Sequence, residues 1–136
     1  MTATTRRTVL GLVVVVVLAV LTWWVQGDGS DTGGADPAGG GLAVVGVADL
    51  PQEAQDTLGL IDAAGPFPYD RDGVVFENRE EILPDQDRGY YHEYTVETPG
   101  STDRGARRIV TGGPQDAPTE YYWTDDHYRS FERIDR

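Results

Sequence analysis

The chain of 136 residues suits one small domain, and its charge is lopsided: 23 acidic residues against 11 basic ones, a formal net charge of −12. The basic residues are all Arg, and without Lys or Cys the chain can use no Schiff base, P-loop, thiol nucleophile, disulfide or Cys-ligated metal. Only His92 and His127 remain for a His-based zinc site, and so acidic a chain repels nucleic acid at long range, so any contact with it must rest on a few clustered Arg.

Residues 1–8 carry Arg6 and Arg7 and no acid, and Val9 to Val25 (VLGLVVVVVLAVLTWWV) is apolar and uncharged. Positive then apolar is the order of an export signal, with the Arg end cytoplasmic. A helix of this length reaches roughly 25 Å, slightly short of a bilayer core, and Trp23 and Trp24 stand where interfacial aromatics anchor a span. Residues 1–25 therefore read as a signal peptide or signal anchor. The lack of a small-residue cleavage site favours the anchor, and the match of Thr5 to Leu10 to a twin-Arg signal is weak. Residues 26–41 (QGDGSDTGGADPAGGG) have nothing to bury and read as a flexible Gly-rich linker. The working domain is then residues 42–136, outside the cytoplasm.

Within it, Leu42 to Val47 predicts a short strand. Pro51 opens a helix at its first position, and Leu50, Ala54, Leu58 and Ile61 recur at helical spacing until Gly65, a natural C-cap. Thereafter the pattern is β: Val74 to Phe76, Tyr90 to Val96, Arg107 to Thr111, Tyr121 to Trp123 and Tyr128 to Ile134, with turn residues between them. One helix on a sheet makes the expected class α+β.

Pleat parity puts Tyr91, Glu93 and Thr95 on one face of the Tyr90 strand and His92 and Tyr94 on the other, so either Glu93 or His92 faces the open side. His92 and Glu93 are thus no local pair, and no second His completes a zincin motif. Arg104, Arg107 and Arg108 form the one dense positive cluster, fit either for surface ion pairs or for bidentate phosphate binding. His127, in an acidic turn, is either a solvated surface residue or a general acid. Together, one carboxylate, one imidazole and two or three Arg suffice for phosphodiester cleavage without metal.

The stretches LPQEAQDTLGLI from Leu50, GPFPY from Gly65, GVVFENREEIL from Gly73, GYYHEYTVETPG from Gly89, RGARRIVTG from Arg104 and Asp126-His127-Tyr128 occur in order across nearly the whole domain. In them the chain resembles the microbial guanyl-specific ribonuclease family, barnase-like and nearest to its ribonuclease Sa type. The resemblance implies one N-terminal helix packed on a five-stranded antiparallel β-sheet. It implies that Glu93 is the general base, His127 the general acid, and Arg104 and Arg108 the holders of the scissile phosphate. Glu80 would accept hydrogen bonds from guanine, the loop of Phe76, Glu77, Asn78 and Arg79 would offer its backbone amides, and Tyr128 would lie beside the nucleotide.

The implied reaction is endonucleolytic cleavage of single-stranded RNA after guanosine, through a 2′,3′-cyclic phosphate to a 3′-phosphate, with no metal and no cofactor. DNA lacks the 2′-hydroxyl that serves as nucleophile. The implied partners are RNA, a barstar-like inhibitor protein and, for an uncleaved segment, the membrane; the expected state is a monomer. Departures are Gly46 where the type carries a Cys, Glu77 in place of Gln, a longer loop over residues 112–120, and Asp125 in place of Gly. The alternative is a catalytically inactive, membrane-tethered nucleotide- or protein-binding domain of the same fold; a complete set of Glu93, Arg104, Arg108 and His127 argues for the enzyme.

Overall fold

The computed structural model describes residues 41–136, so the apolar run of residues 9–25 and nearly all of the linker lie outside the described residues. Strand β1 (Ala43–Gly46) leads through a 3-10 turn (Val47–Asp49) to helix α1 (Gln52–Asp62). Five strands follow: β2 (Val74–Val75), β3 (Tyr91–Thr95), β4 (Arg108–Gly112), β5 (Glu120–Thr124) and β6 (Glu132–Asp135). They form one sheet in the order β1-β6-β5-β4-β3-β2. Among the described residues no helix is long and apolar enough to cross a membrane.

The α+β class is as expected, but the sheet has six strands and is mixed rather than five-stranded and antiparallel. β1 pairs parallel to β6, with Gly46 opposite Asp135. A parallel neighbour needs a long crossover, and here nearly the whole domain, α1 included, lies between the two strands. The segment expected as a strand from Tyr128 enters β6 only at Glu132, because His127 and Tyr128 are left-handed, with φ of 60° and 70°. Next to β6, Arg136 donates to both carboxylate oxygens of Asp62 at 2.9 and 2.5 Å and lies 4.5 Å over the Tyr121 ring.

Each sheet face has its own core. Leu50, Ala54, Leu58 and Ile61 of the helix side pack on Tyr94, Val96, Ile109, Trp123 and Ile134. On the opposite face Phe76, Leu83, Tyr91, Val110, Tyr122 and Phe131 cluster. Alternation along β3 and β4 therefore sends Tyr94 and Ile109 to the helix, and Tyr91, Glu93, Arg108 and Val110 to the other side. That second, shallower face carries the site.

α1 begins one residue later than expected, Pro51 being its extended N-cap. Its other end closes with two hydrogen bonds, Gly65 N–H to Leu60 O at 2.9 Å and Ala64 N–H to Ile61 O at 3.1 Å. This is the Schellman arrangement, and the left-handed residue it needs is Ala64, at φ 57°, not the glycine after it. A Cβ in that conformation costs about 1–2 kcal/mol. Ala64→Gly, which also loosens the unfolded chain, is expected to stabilise the domain by about 0.5–1 kcal/mol and to raise its melting midpoint by about 4 °C in a thermal scan.

Candidate active site

Glu93 lies mid-strand in β3, opposite Val74 of β2 and Val110 of β4. It is 7% exposed, because the Tyr128 hydroxyl donates to its Oε2 at 2.5 Å and covers it. Burial, and then the carboxylate it faces, push the Tyr128 phenol well above its ordinary range, so Tyr128 acts as a neutral donor. The Tyr128 ring packs on Phe76 at 4.9 Å and Phe131 at 6.4 Å, on the same core that backs the sheet. The choice between Glu93 and His92 is thereby resolved. His92 is buried on the other side of the strand, its Nδ1 has no hydrogen-bond partner among the described residues, and desolvation lowers its pKa.

Arg104 reaches the same carboxylate, with Nη2 3.8 Å from Glu93 Oε1. Its Nε and Nη2 both donate to Thr95 Oγ1, at 3.1 and 2.7 Å, so the next inward residue of β3 aims the guanidinium. Arg108 stands opposite Thr95 at the start of β4 and is 3% exposed. Its Nη1 donates to the carbonyls of Arg104, Gly105 and Arg107 at 3.3, 2.9 and 2.7 Å, while its buried Nε has no partner among the described residues. Gly105, at φ 62°, makes this collar possible, since a Cβ there would stand 2.3 Å from Thr98 Oγ1. No carboxylate is ion-paired with Arg108 among the described residues. The Asp103 carboxylate acts on it only from a distance and the Tyr128 phenol is neutral, so an anionic ligand would relieve a buried cation that has no ion-paired carboxylate. Arg107 points elsewhere, 3.7 Å from Glu53 on α1.

His127 joins this group from the β5–β6 loop. Its backbone N–H donates to Ala106 O at 3.2 Å, and its ring lies 5.0 Å from that of Tyr128. With Asp103, Arg104, Gly105 and Ala106 it borders an open depression of about 490 Å³. A cleft of about 390 Å³ is lined by Glu93, Tyr128, Phe76, Glu77, Asn78, Arg79 and Glu80, together with Arg71 and Val75.

The segment from Phe76 to Glu80 is a preformed loop. The Asn78 amide both donates to Leu83 O at 2.9 Å and accepts from Leu83 N–H at 3.1 Å, which leaves its side chain committed to the loop. Asn78 and Glu81 are left-handed, and Glu81 N–H closes the turn on Asn78 O at 2.9 Å. The extra charge of Glu77 is not loose: Arg79 at 2.5 Å and Arg88 at 3.4 Å flank it, and these hold its carboxyl below the ordinary range. Glu80 is exposed and has no partner among the described residues.

The catalytic and guanine-contacting residues implied by the resemblance thus border one of these two depressions, Arg108 excepted, whereas Arg107 and His92 border neither. Arg71, Val75 and Thr95 were not anticipated. Arg71 and Val75 sit in and beside a turn with no chemical signal, and the role of Thr95 follows from strand parity with Glu93.

A family model described as ribonuclease matches residues 34–135. The chain belongs to the ribonuclease family. This ribonuclease is 61% identical over 87 residues to guanyl-specific ribonuclease Sa of Kitasatospora aureofaciens, a match covering 64% of this chain and 88% of that one. It is 59% identical over 91 residues to guanyl-specific ribonuclease St of Saccharopolyspora erythraea, covering 67% and 86%. To guanyl-specific ribonuclease Sa3 of K. aureofaciens it is 63% identical over 86 residues, covering 63% of this chain and only 59% of that protein's length. Its fold is similar to that of ribonuclease Sa2 in complexes with mononucleotides, with a TM-score of 0.66 and 60% identity over 70% of this chain and 95% of that one. The structure of ribonuclease Sa2 with guanosine-2′-cyclophosphate gives a TM-score of 0.63 at 60% identity, over 69% and 96%.

Proposed function

We propose that this ribonuclease is an endoribonuclease that cleaves single-stranded RNA after guanosine, by transesterification to a 2′,3′-cyclic phosphate and then hydrolysis to a 3′-phosphate. The observation that carries the reading is the convergence on one sheet face of a buried carboxylate, two guanidinium groups and an imidazole, beside a preformed loop with a free carboxylate at its tip. Identity near 60% to three guanyl-specific ribonucleases supports the same activity.

Glu93 takes the proton from the ribose 2′-hydroxyl, and His127, from the opposite end of the group, gives a proton to the departing 5′-oxygen. Base and acid on separate segments suit an in-line displacement, which needs one on either side of the phosphorus. Arg104 and Arg108 offer fixed donors to the phosphoryl oxygens, where charge grows in the transition state. In the hydrolytic step the roles of Glu93 and His127 reverse. Guanine enters the cleft between Phe76 and Glu80: the Glu80 carboxylate accepts from N1–H and the 2-amino group, and the backbone amides of the Asn78 turn meet O6. Tyr128, held at the edge of the same cleft, lies beside the bound nucleotide.

Residues 42–136 form the catalytic domain. Residues 1–25 act as a signal peptide or signal anchor and residues 26–41 as a tether, which places the enzyme outside the cytoplasm, as a monomer. The arginine-then-apolar order of the first 25 residues supports that location. A barstar-like inhibitor protein would be a further partner, although the chain's net charge of −12 gives an acidic inhibitor little electrostatic steering.

The test is a panel of GpN, ApN, CpN and UpN dinucleotides, cleaved by the wild type and by Glu80→Ala. Wild type should cleave GpN far ahead of the others. Losing two charge-assisted hydrogen bonds should lower the GpN preference over ApN by about 100-fold in Glu80→Ala. An unchanged preference in the variant would assign guanine reading to another group, and a folded wild type that cleaves nothing would favour the inactive binding domain.

A further inference from the structure

Asp126 precedes His127 in the β5–β6 loop and binds no part of the cleft. Its Oδ1 accepts from Thr124 Oγ1, Arg129 N–H and Ser130 N–H, each at 3.0 Å, and its Oδ2 accepts from Ser130 Oγ at 2.7 Å. Thr124 Oγ1 in turn accepts from Tyr128 N–H at 3.2 Å. One carboxylate thus ties both feet of the loop. Between those feet stand two consecutive left-handed residues with β-carbons, His127 and Tyr128. Each such residue is disfavoured unless its surroundings impose the conformation.

The two residues differ in what else holds them. Tyr128 is fixed by Glu93, Phe76 and Phe131. The His127 side chain is exposed and makes no hydrogen bond among the described residues; apart from its contact with the Tyr128 ring, only its backbone is tied, to Ala106. We propose that Asp126 is a positioning residue for the leaving-group step: its hydrogen bonds impose the left-handed turn that presents the His127 imidazole to the scissile phosphate. The carboxyl is also suited to the task at any working pH. The Ser130 hydroxyl above all, with the Thr124 hydroxyl and the backbone amides, holds its pKa down to about 2. Asp126 itself never touches substrate.

The proposal rests on His127 being the general acid, and a change of leaving group isolates that role. Guanosine 3′-(4-nitrophenyl phosphate) expels nitrophenolate, which needs no proton, whereas GpC expels an alkoxide that does. Asp126→Ala should lower kcat on GpC by about 100-fold, the ordinary range of a misplaced general acid, and lower kcat on the aryl ester less than about fivefold. Asp126→Asn, whose amide oxygen can accept the same backbone and Thr124 bonds, should recover kcat on GpC to within about tenfold of wild type. All assays are run well below each variant's melting midpoint. Equal losses on the two substrates, no loss on either, or an Asn variant as poor as Ala would each overturn the proposal while leaving the ribonuclease reading intact. A folded wild type that cleaves neither substrate would instead remove the reading on which it rests.

Discussion

Glu93→Gln is expected to lower kcat for GpC cleavage by about 1,000-fold while leaving affinity for guanosine 3′-phosphate equal to or tighter than wild type. The substitution keeps the side chain's shape and one oxygen for the Tyr128 hydroxyl, so the aromatic cover of the site should survive. What disappears is the proton acceptor, and a positioned general base contributes about 10²–10⁴ in rate. Nothing in the Phe76 to Glu80 loop depends on Glu93, so guanine binding has no reason to weaken. Removing a negative charge 3.8 Å from the Arg104 guanidinium should if anything favour a phosphate there. Steady-state kinetics on GpC and calorimetric binding of guanosine 3′-phosphate check the two halves separately. A loss below tenfold would give proton abstraction to a different group, and a matching loss of binding would mean the carboxylate organises the cleft instead.

The sequence made the helix and the functional face legible for separate reasons. Leu50, Ala54, Leu58 and Ile61 recur with helical period and are all buried on one side, as an amphipathic stripe requires. Strand parity reduced Glu93 and His92 to a choice, and the choice needed the other strands: only β4 and the Tyr128 ring show which face is the open one. The parallel pairing of β1 with β6 was not legible, because a strand carries no mark of the direction of its neighbour. Nor was the start of β6, since Tyr128 to Phe131 has strand composition but is bent by a carboxylate two residues before it. Propensity sees residue types; the left-handed turn at His127 is decided by where the Asp126 oxygens point. Family resemblance named Glu93, Arg104, Arg108 and His127, yet it could not say that Arg108 is almost wholly buried or that Thr95 aims Arg104.

Burial makes Arg108 the most consequential of the four to replace. Its Nη1 binds three carbonyls of the segment that carries Arg104, so the side chain is at once a loop anchor and a phosphate donor. Arg108→Ala should therefore fail in two ways. Stranding those carbonyls beside a vacated volume should cost about 2–3 kcal/mol of stability, and losing a fixed donor at the phosphate should cost about 10²–10³ in kcat. Arg108→Lys separates the two. A lysine ammonium can still donate to the carbonyl collar, so most of the stability should return, but it has no planar fork with which to hold a phosphoryl group. The expected result is a near-wild-type melting midpoint with kcat still reduced by about 100-fold. The buried cation also predicts a ligand effect. Guanosine 3′-phosphate at 100 times its Kd stabilises a protein by about 2.7 kcal/mol; at that same concentration the increment should shrink sharply in Arg108→Lys, because a lysine has no planar fork to offer the anion. A lysine variant that turns over GpC within threefold of wild type would leave Arg104 as the phosphate's sole holder and confine Arg108 to the fold.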